Sequence, residues 1–289
     1  MDQRSELREF LRSRRARLRP EELGLPGPGG RRRVAGLRRE EVAQLAGISS
    51  DYYVRLEQGR TQHVSDSVLD AVADVLRMDD DERAHLRNLV STKPQRATAA
   101  APSPSPAGKS VRPALMRMVA DLGSGPCYLL DRAMNILAWN QLAEIIFEKV
   151  IEKPAEYRNM ARFVFLDEVA KNVFVDWPEV ARVTTAYLRM HTGRRPNDSL
   201  LTNLVGELSI KSEEFRRLWS EQLVADRSYG TKRIRHPLVG VLNLSFETLR
   251  QSDDSGQLVM VFNAEPGSET DDALRVLASW GKDRQEVVG

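Results

Sequence analysis

Between Lys93 and Pro113 the sequence reads KPQRATAAAPSPSPAGKSVRP, five prolines and five alanines with interspersed serines and no hydrophobic period. Such a stretch cannot bury enough apolar surface to offset the entropy of ordering it, so it reads as an extended, semi-rigid tether. It divides the 289 residues into two parts, each long enough to build its own core. The expected organisation is a first domain over residues 1–92, a linker over 93–113 and a second domain over 114–282.

Charged residues make up 29% of the chain and the apolar set 41%, a balance that supports two ordinary cores and argues against global disorder. The single cysteine, Cys127, cannot form an internal disulfide and falls far short of a cysteine zinc site, which fits a reducing compartment. The first twenty residues are charged and amphipathic with no secretory core, and no apolar run reaches membrane-spanning length. A cytoplasmic protein without a membrane partner is therefore expected. Net charge is only +2, but its distribution is informative. Residues 1–63 carry fourteen arginines against nine acids, whereas residues 64–92 carry three arginines against seven acids. A chain polarised in this way presents one surface suited to phosphates.

Before the linker, hydrophobic spacing predicts five helices, over Glu6 to Leu18, Arg38 to Ala46, Ser50 to Gln58, Ser65 to Arg77 and Asp81 to Ser91. A Gly/Pro-rich insert, ending in Arg31-Arg32-Arg33, separates the first two. The segment GLRREEVAQLAGISSDYYVRLEQGR, Gly36 to Arg60, is the most informative. Val42, Leu45 and Ala46 on one helix and Tyr53 and Leu56 on the next supply a shared core, and Gly47 stands where the chain must turn sharply. That arrangement lets a second helix project its polar N-terminal face into a DNA major groove.

This segment resembles the helix-turn-helix of the Xre family in its actinobacterial form, which implies an all-α, five-helix, lambda-repressor-like DNA-binding domain. Carried over by position, the resemblance implies base reading by Ser50, Asp51, Tyr52 and Arg55, with Ser49 at the same helix start. It implies phosphate contacts by Arg39 and Arg60, and an ion pair between Arg15 and Glu57. The long insert departs from the family pattern; Arg31, Arg32 and Arg33 read either as a solvated loop or as an arm gripping phosphate or the minor groove. Asp51 faces phosphate repulsion unless it accepts from a cytosine amino group, and pairing with a neighbouring arginine is an equal alternative. A double-stranded operator bound by a homodimer is the expected partner, because one recognition helix reads only a few base pairs.

After the linker come a helix from Val111 to Leu122, two short strands around a turn at Asp131 to Asn135, and a helical stretch from Gln141 to about Asp226, broken at Asp176-Trp177-Pro178, at Arg195-Pro196-Asn197 and at Ser212. Three strands follow, over Arg227 to Arg235, Val239 to Leu249 and Gln257 to Ala264, then a helix from about Ser268 to Trp280. This order is α+β. No nucleotide-binding loop, paired-histidine metal spacing or nucleophile elbow is present, so neither an enzyme nor a cofactor is expected. The runs FLDEVAKNVFVDWPEVARVTTAYLRMHTGRRPND, GTKRIRHP and VFNAEPGSETDDALRVLASW resemble the MmyB-like regulator ligand-binding domain, over about Arg112 to Trp280. That resemblance implies a PAS-like fold, a five-stranded antiparallel sheet with helices over one face, accepting a small apolar molecule such as a fatty acid. Candidate pocket residues are Trp139, Phe147, Phe163, Phe165, Trp219 and Tyr229, with Arg235 and His236 as candidates to anchor a carboxylate; ordinary core and surface roles are open for each. A protein-interaction module without a ligand is the first alternative reading of this domain, and an enzymatic domain tethered to DNA the second.

Overall fold

The computed structural model describes residues 3–25, 36–61, 64–90, 111–195, 197–225, 228–252 and 255–288. The chain forms two compact units. The first comprises Met1–Arg96 together with Arg189–Asp198 and Leu218–Asp226; the second comprises Ala97–Leu188, Ser199–Arg217 and Arg227–Gly289.

Five α-helices build the N-terminal part of the first unit: α1 (Gln3–Arg17), α2 (Arg39–Leu45), α3 (Ser50–Glu57), α4 (Asp66–Val75) and α5 (Asp80–Val90). Each turns an apolar stripe inward, and Phe10, Leu11, Val42, Tyr53, Leu56, Val72 and Leu86 meet in one core. Met190 and Val224, far along the chain, complete that core. Polar groups accompany them. The guanidinium of Arg14 is buried over the Phe10 ring, with Nε 3.0 Å from Glu82 Oε1 and Nη2 donating to Gln222 O at 2.5 Å. Arg189 is fully buried over Trp219 and donates through Nη1 to Gln222 Oε1 at 2.8 Å, with Glu6 at 3.7 Å. Burial pushes both guanidinium pKa values down to about 10, which leaves them charged at neutral pH.

The second unit contains helix α6 (Pro113–Asp121), strands β1 (Cys127–Leu130) and β2 (Ile136–Trp139), and helices α7 (Gln141–Ile146), α8 (Glu148–Ile151), α9 (Met160–Leu166) and α10 (Ala170–Val173). Helix α11 (Trp177–Arg194) gives its last residues to the first unit, as does the end of α13 (Glu213–Ser220), which follows α12 (Ser199–Lys211). Strands β3 (Tyr229–His236), β4 (Gly240–Arg250) and β5 (Leu258–Asn263) and helix α14 (Glu269–Val288) close the chain. The five strands form one antiparallel sheet, as the PAS-like resemblance implies, and their order is β2-β1-β5-β4-β3. Helix α6 packs Leu115 and Val119 against Cys127, Leu129, Ala138 and Val259, so the β1-β2-β5 end is covered on the face opposite Tyr128 as well. Asn140 ties this end together. Its Oδ1 accepts from Cys127 N and Ala143 N, both at 2.9 Å, and its Nδ2 donates to Gly125 O at 2.7 Å and to Leu122 O.

His85 in α5 is fully buried, edge-on to Phe10 at 4.9 Å, and neither ring nitrogen has a partner among the described residues. Burial, reinforced by the charges of Arg189, Arg14 and Arg194, pushes its pKa down to about 3. Between that value and the ordinary 6.5 the unfolded chain takes up a proton that the folded chain refuses, so stability is lost as pH falls through this window. The expected slope is at most about 1.4 kcal/mol per pH unit. Replacing the ring should remove it: a His85→Leu variant is expected to show a flatter stability profile between pH 6.5 and pH 3 than wild type in urea titrations, and parallel profiles would refute this.

Candidate functional site

Helix α2 begins with Glu41 reaching back to accept from Arg38 N at 2.7 Å. It ends at Gly47, whose φ of +67° places it in the left-handed region while Ile48 N donates to Ala43 O at 3.0 Å. The chain then enters α3 through Ser49, whose hydroxyl accepts from Tyr52 N at 3.1 Å. Tyr53, Leu56 and Glu57 face inward, leaving Ser50, Asp51 and Arg55 exposed and Tyr52 half-buried on the other side. Arg55 and Asp51 pair one helical turn apart at 3.2 Å, and both remain largely exposed. The end of α3 closes on Gly59 at φ +62°, with the exposed Arg60 donating its backbone N–H to Arg55 O at 2.9 Å.

Glu57, with no exposed surface, holds this arrangement. Arg15 of α1 donates to both its oxygens, through Nε at 3.1 Å and Nη2 at 3.2 Å, while Nη1 reaches Leu37 O at 2.8 Å. Arg39 of α2 joins the same carboxylate through Nη2 at 2.8 Å and Nε at 3.1 Å. The pairing with Glu57 raises the Arg39 pKa further above its ordinary value. Arg39 thus has two donors committed inside the fold, while its side chain is 41% exposed. Arg31, Arg32 and Arg33 lie outside the described residues.

In the second unit, alternation along the strands sorts side chains onto two faces. Register pairs Tyr128 with Met260, Phe246 with Phe262 and Lys232 with Leu244, so these residues share the inner face with Ile234 and Leu242. Phe147 packs edge-on to Tyr128 at 5.2 Å, and Phe262 joins both at 5.6 Å, with Phe246 6.1 Å beyond it. Gly230 gives the Phe246 ring its space: a Cβ there would sit 3.0 Å from it.

Residues 6–86 match a family described as a helix-turn-helix domain, and residues 111–277 match one described as the MmyB-like transcription regulator ligand binding domain. The chain belongs to this MmyB-like family. It is a DNA-binding transcription regulator with a ligand-binding domain, and both families are regulators, not enzymes. Comparison with curated proteins gave no significant match.

Within the MmyB-like domain the sequence-expected residues separate. Phe147 and Phe163 are buried, Trp139 is half-buried beneath the Arg158 guanidinium at 4.7 Å, and Phe165 packs edge-on to Phe215 at 5.0 Å. Trp219 belongs to the first unit, under Arg189. Two expectations need correcting. Tyr229 is 71% exposed at the start of β3, and Arg235 is exposed on the outer face, because its odd position in the strand puts it with Thr231 and Arg233, away from Ile234. His236 has the inward phase, but its Nδ1 accepts from Leu238 N at 3.3 Å and the ring also bonds the Ile145 backbone. The cleft beside it, lined by Ile145, Glu148, Pro237, Leu238 and Trp280, has a volume of about 180 Å³, below the ~300–1,000 Å³ typical of ligand pockets. Tyr128, Lys232, Phe246, Phe262 and Met260 were not singled out from the sequence. Extending the two-residue alternation from Ile234 back to Lys232 was the available signal.

Removing one side of the Glu57 cluster strands buried charge. A Glu57→Gln variant is expected to lose about 3–5 kcal/mol of stability in the first unit, read as faster hydrogen exchange at the α1 and α3 amides; unchanged protection would show that the cluster does not hold α3.

Proposed function

We propose that the chain binds a specific operator as a homodimer in the cytoplasm, and that a small apolar ligand such as a fatty acid, held in the MmyB-like domain, modulates that binding. The observation that carries the DNA-binding half of this reading is the division of α3, which buries Tyr53, Leu56 and Glu57 while leaving Ser50, Asp51 and Arg55 in solvent beside the exposed Arg60. On this reading Ser50, Tyr52 and Arg55 meet base edges, and Ser49, Arg39 and Arg60 meet phosphates. Asp51 holds Arg55 in the bare protein, and releasing it to a guanine frees the carboxylate for a cytosine amino group.

The aromatic interior of the sheet supports an apolar ligand. Coupling is supported by the make-up of the first unit. Met190, Gln222 and Val224 lie within the segment matched to the ligand-binding family, yet they share a core and buried hydrogen bonds with α1. A ligand that favours one placement of these residues biases the helices they pack against.

The test is a gel-shift comparison of an operator, selected from random duplexes, with a scrambled duplex. Arg55→Ala is expected to lose about 1–3 kcal/mol of discrimination between them while keeping its affinity for the scrambled duplex. Equal discrimination by wild type and variant would refute base reading by α3. For the ligand half, dodecanoic acid is expected to raise the melting temperature with increasing concentration, and no shift across a series of fatty acids would refute it.

A further inference from the structure

Among the described residues Lys232 is a cation without an anion. On the inner face of β3 its ammonium lies 5.1 Å from the Phe246 ring centroid and 5.8 Å from that of Phe262. Its one hydrogen-bond partner among the described residues is the Met260 thioether, with Nζ 3.9 Å from Sδ. The residue keeps some exposure, but crowding around the ammonium strips enough hydration to push its pKa down to about 8, with no opposing contribution from any carboxylate. The neighbouring Tyr128, 1% exposed, is in the same position: among the described residues its hydroxyl also has only the Met260 sulfur, at 3.1 Å. Two donors therefore converge on one weak acceptor inside an aromatic layer. The other cations of β3 are placed differently: Arg233 is on the outer face with both its Nε and Nη2 on Asp176, and Arg235 is exposed beside it.

A bare ammonium among rings is costly, and cation–π contact and a thioether recover only part of the lost hydration. A carboxylate would satisfy both donors at once. Each would then make a charge-assisted hydrogen bond, roughly twice as strong as a neutral one. The inner-face aromatics beyond them supply the apolar wall against which a hydrocarbon tail would lie.

We propose that Lys232 and Tyr128 form the head-group anchor of the MmyB-like domain, so that its ligand is an apolar molecule carrying one carboxylate, which accepts from Lys232 Nζ and Tyr128 Oη. The proposal rests on the ligand-sensing reading above, makes the carboxylate a requirement rather than an example, and adds the two residues that select it. It replaces Arg235 and His236, the first exposed on the outer face and the second already bonded to backbone.

The experiment is calorimetric titration of the full chain with dodecanoic acid and with dodecan-1-ol, which share a tail and differ in the head. Wild type is expected to prefer the acid by at least about tenfold, whereas Lys232→Met binds the two equally and Tyr128→Phe falls between. Because the lysine is unpaired without ligand, Lys232→Met is also expected to melt at or above the wild-type temperature. A melting temperature well below wild type would assign the lysine a structural role and overturn the proposal. A second readout needs no variant: in wild type, the Lys232 pKa followed by the NMR shift of its ε-carbon should rise when dodecanoic acid saturates the protein and stay put with the alcohol. Equal binding of acid and alcohol by wild type, or an acid preference that survives in Lys232→Met, overturns the anchor while leaving an apolar ligand in place. Failure of both compounds to bind wild type overturns the ligand reading and the anchor with it.

Discussion

A single buried carboxylate decides which face of α3 points to solvent. Glu57 closes the last turn of α3, and the guanidinium groups that satisfy it come from α1 and α2. Neither α2, with seven residues, nor α3, with eight, is long enough to be stable alone in water. Their mutual orientation must come from tertiary contact. Apolar packing of Val42, Tyr53 and Leu56 is tolerant of small rotations, but a carboxylate taking four hydrogen bonds from two arginines is not. Fixing Glu57 inward fixes Asp51 and Arg55 outward on the same helix.

Polar groups do comparable work elsewhere in the first unit. Arg14 and Arg189 both bond Gln222, one at its backbone oxygen and the other at its side-chain oxygen, and each guanidinium lies over an aromatic ring. Such buried networks are sensitive to geometry because an unsatisfied charge is so costly. The residues involved come from α1, within the segment matched to the helix-turn-helix family, and from α11 and the residues just after α13, within the segment matched to the ligand-binding family. An apolar seam alone would let these segments slide; directional bonds restrict their placement.

Much of this was legible in the sequence. All five N-terminal helices follow from apolar spacing, and the turn follows from Gly47, because these signals are local. The Arg15–Glu57 pair was implied by family position, but Arg39 as a second partner was not: its expected task was phosphate, and only three-dimensional proximity brings it to the same carboxylate. The strands and the final helix were found, though α14 runs to Val288 rather than stopping near Trp280. The stretch after Gln141 was read with breaks near Asp176, Arg195 and Ser212, whereas the chain also breaks around Phe147, Glu152–Asn159 and Asp167, where short helices end without a proline signal except Pro154. Strand phase was the subtler failure. Aromatic character drew Tyr229 into the expected pocket and positive charge drew Arg235, while the two-residue period that exposes both also turns Lys232 inward. The gathering of Arg189–Asp198 and Leu218–Asp226 into the first unit lies beyond any sequence window, since it depends on contacts some two hundred residues apart.

The central claim is that α3, clamped through Glu57, reads base edges. It is tested most directly by repeated selection of DNA from a fully randomised duplex pool with the intact wild-type chain at physiological salt. The account predicts enrichment of one short motif, repeated as two half-sites about one helical turn apart. A pool that stays random after successive rounds, although the protein retains DNA at low salt, would contradict it.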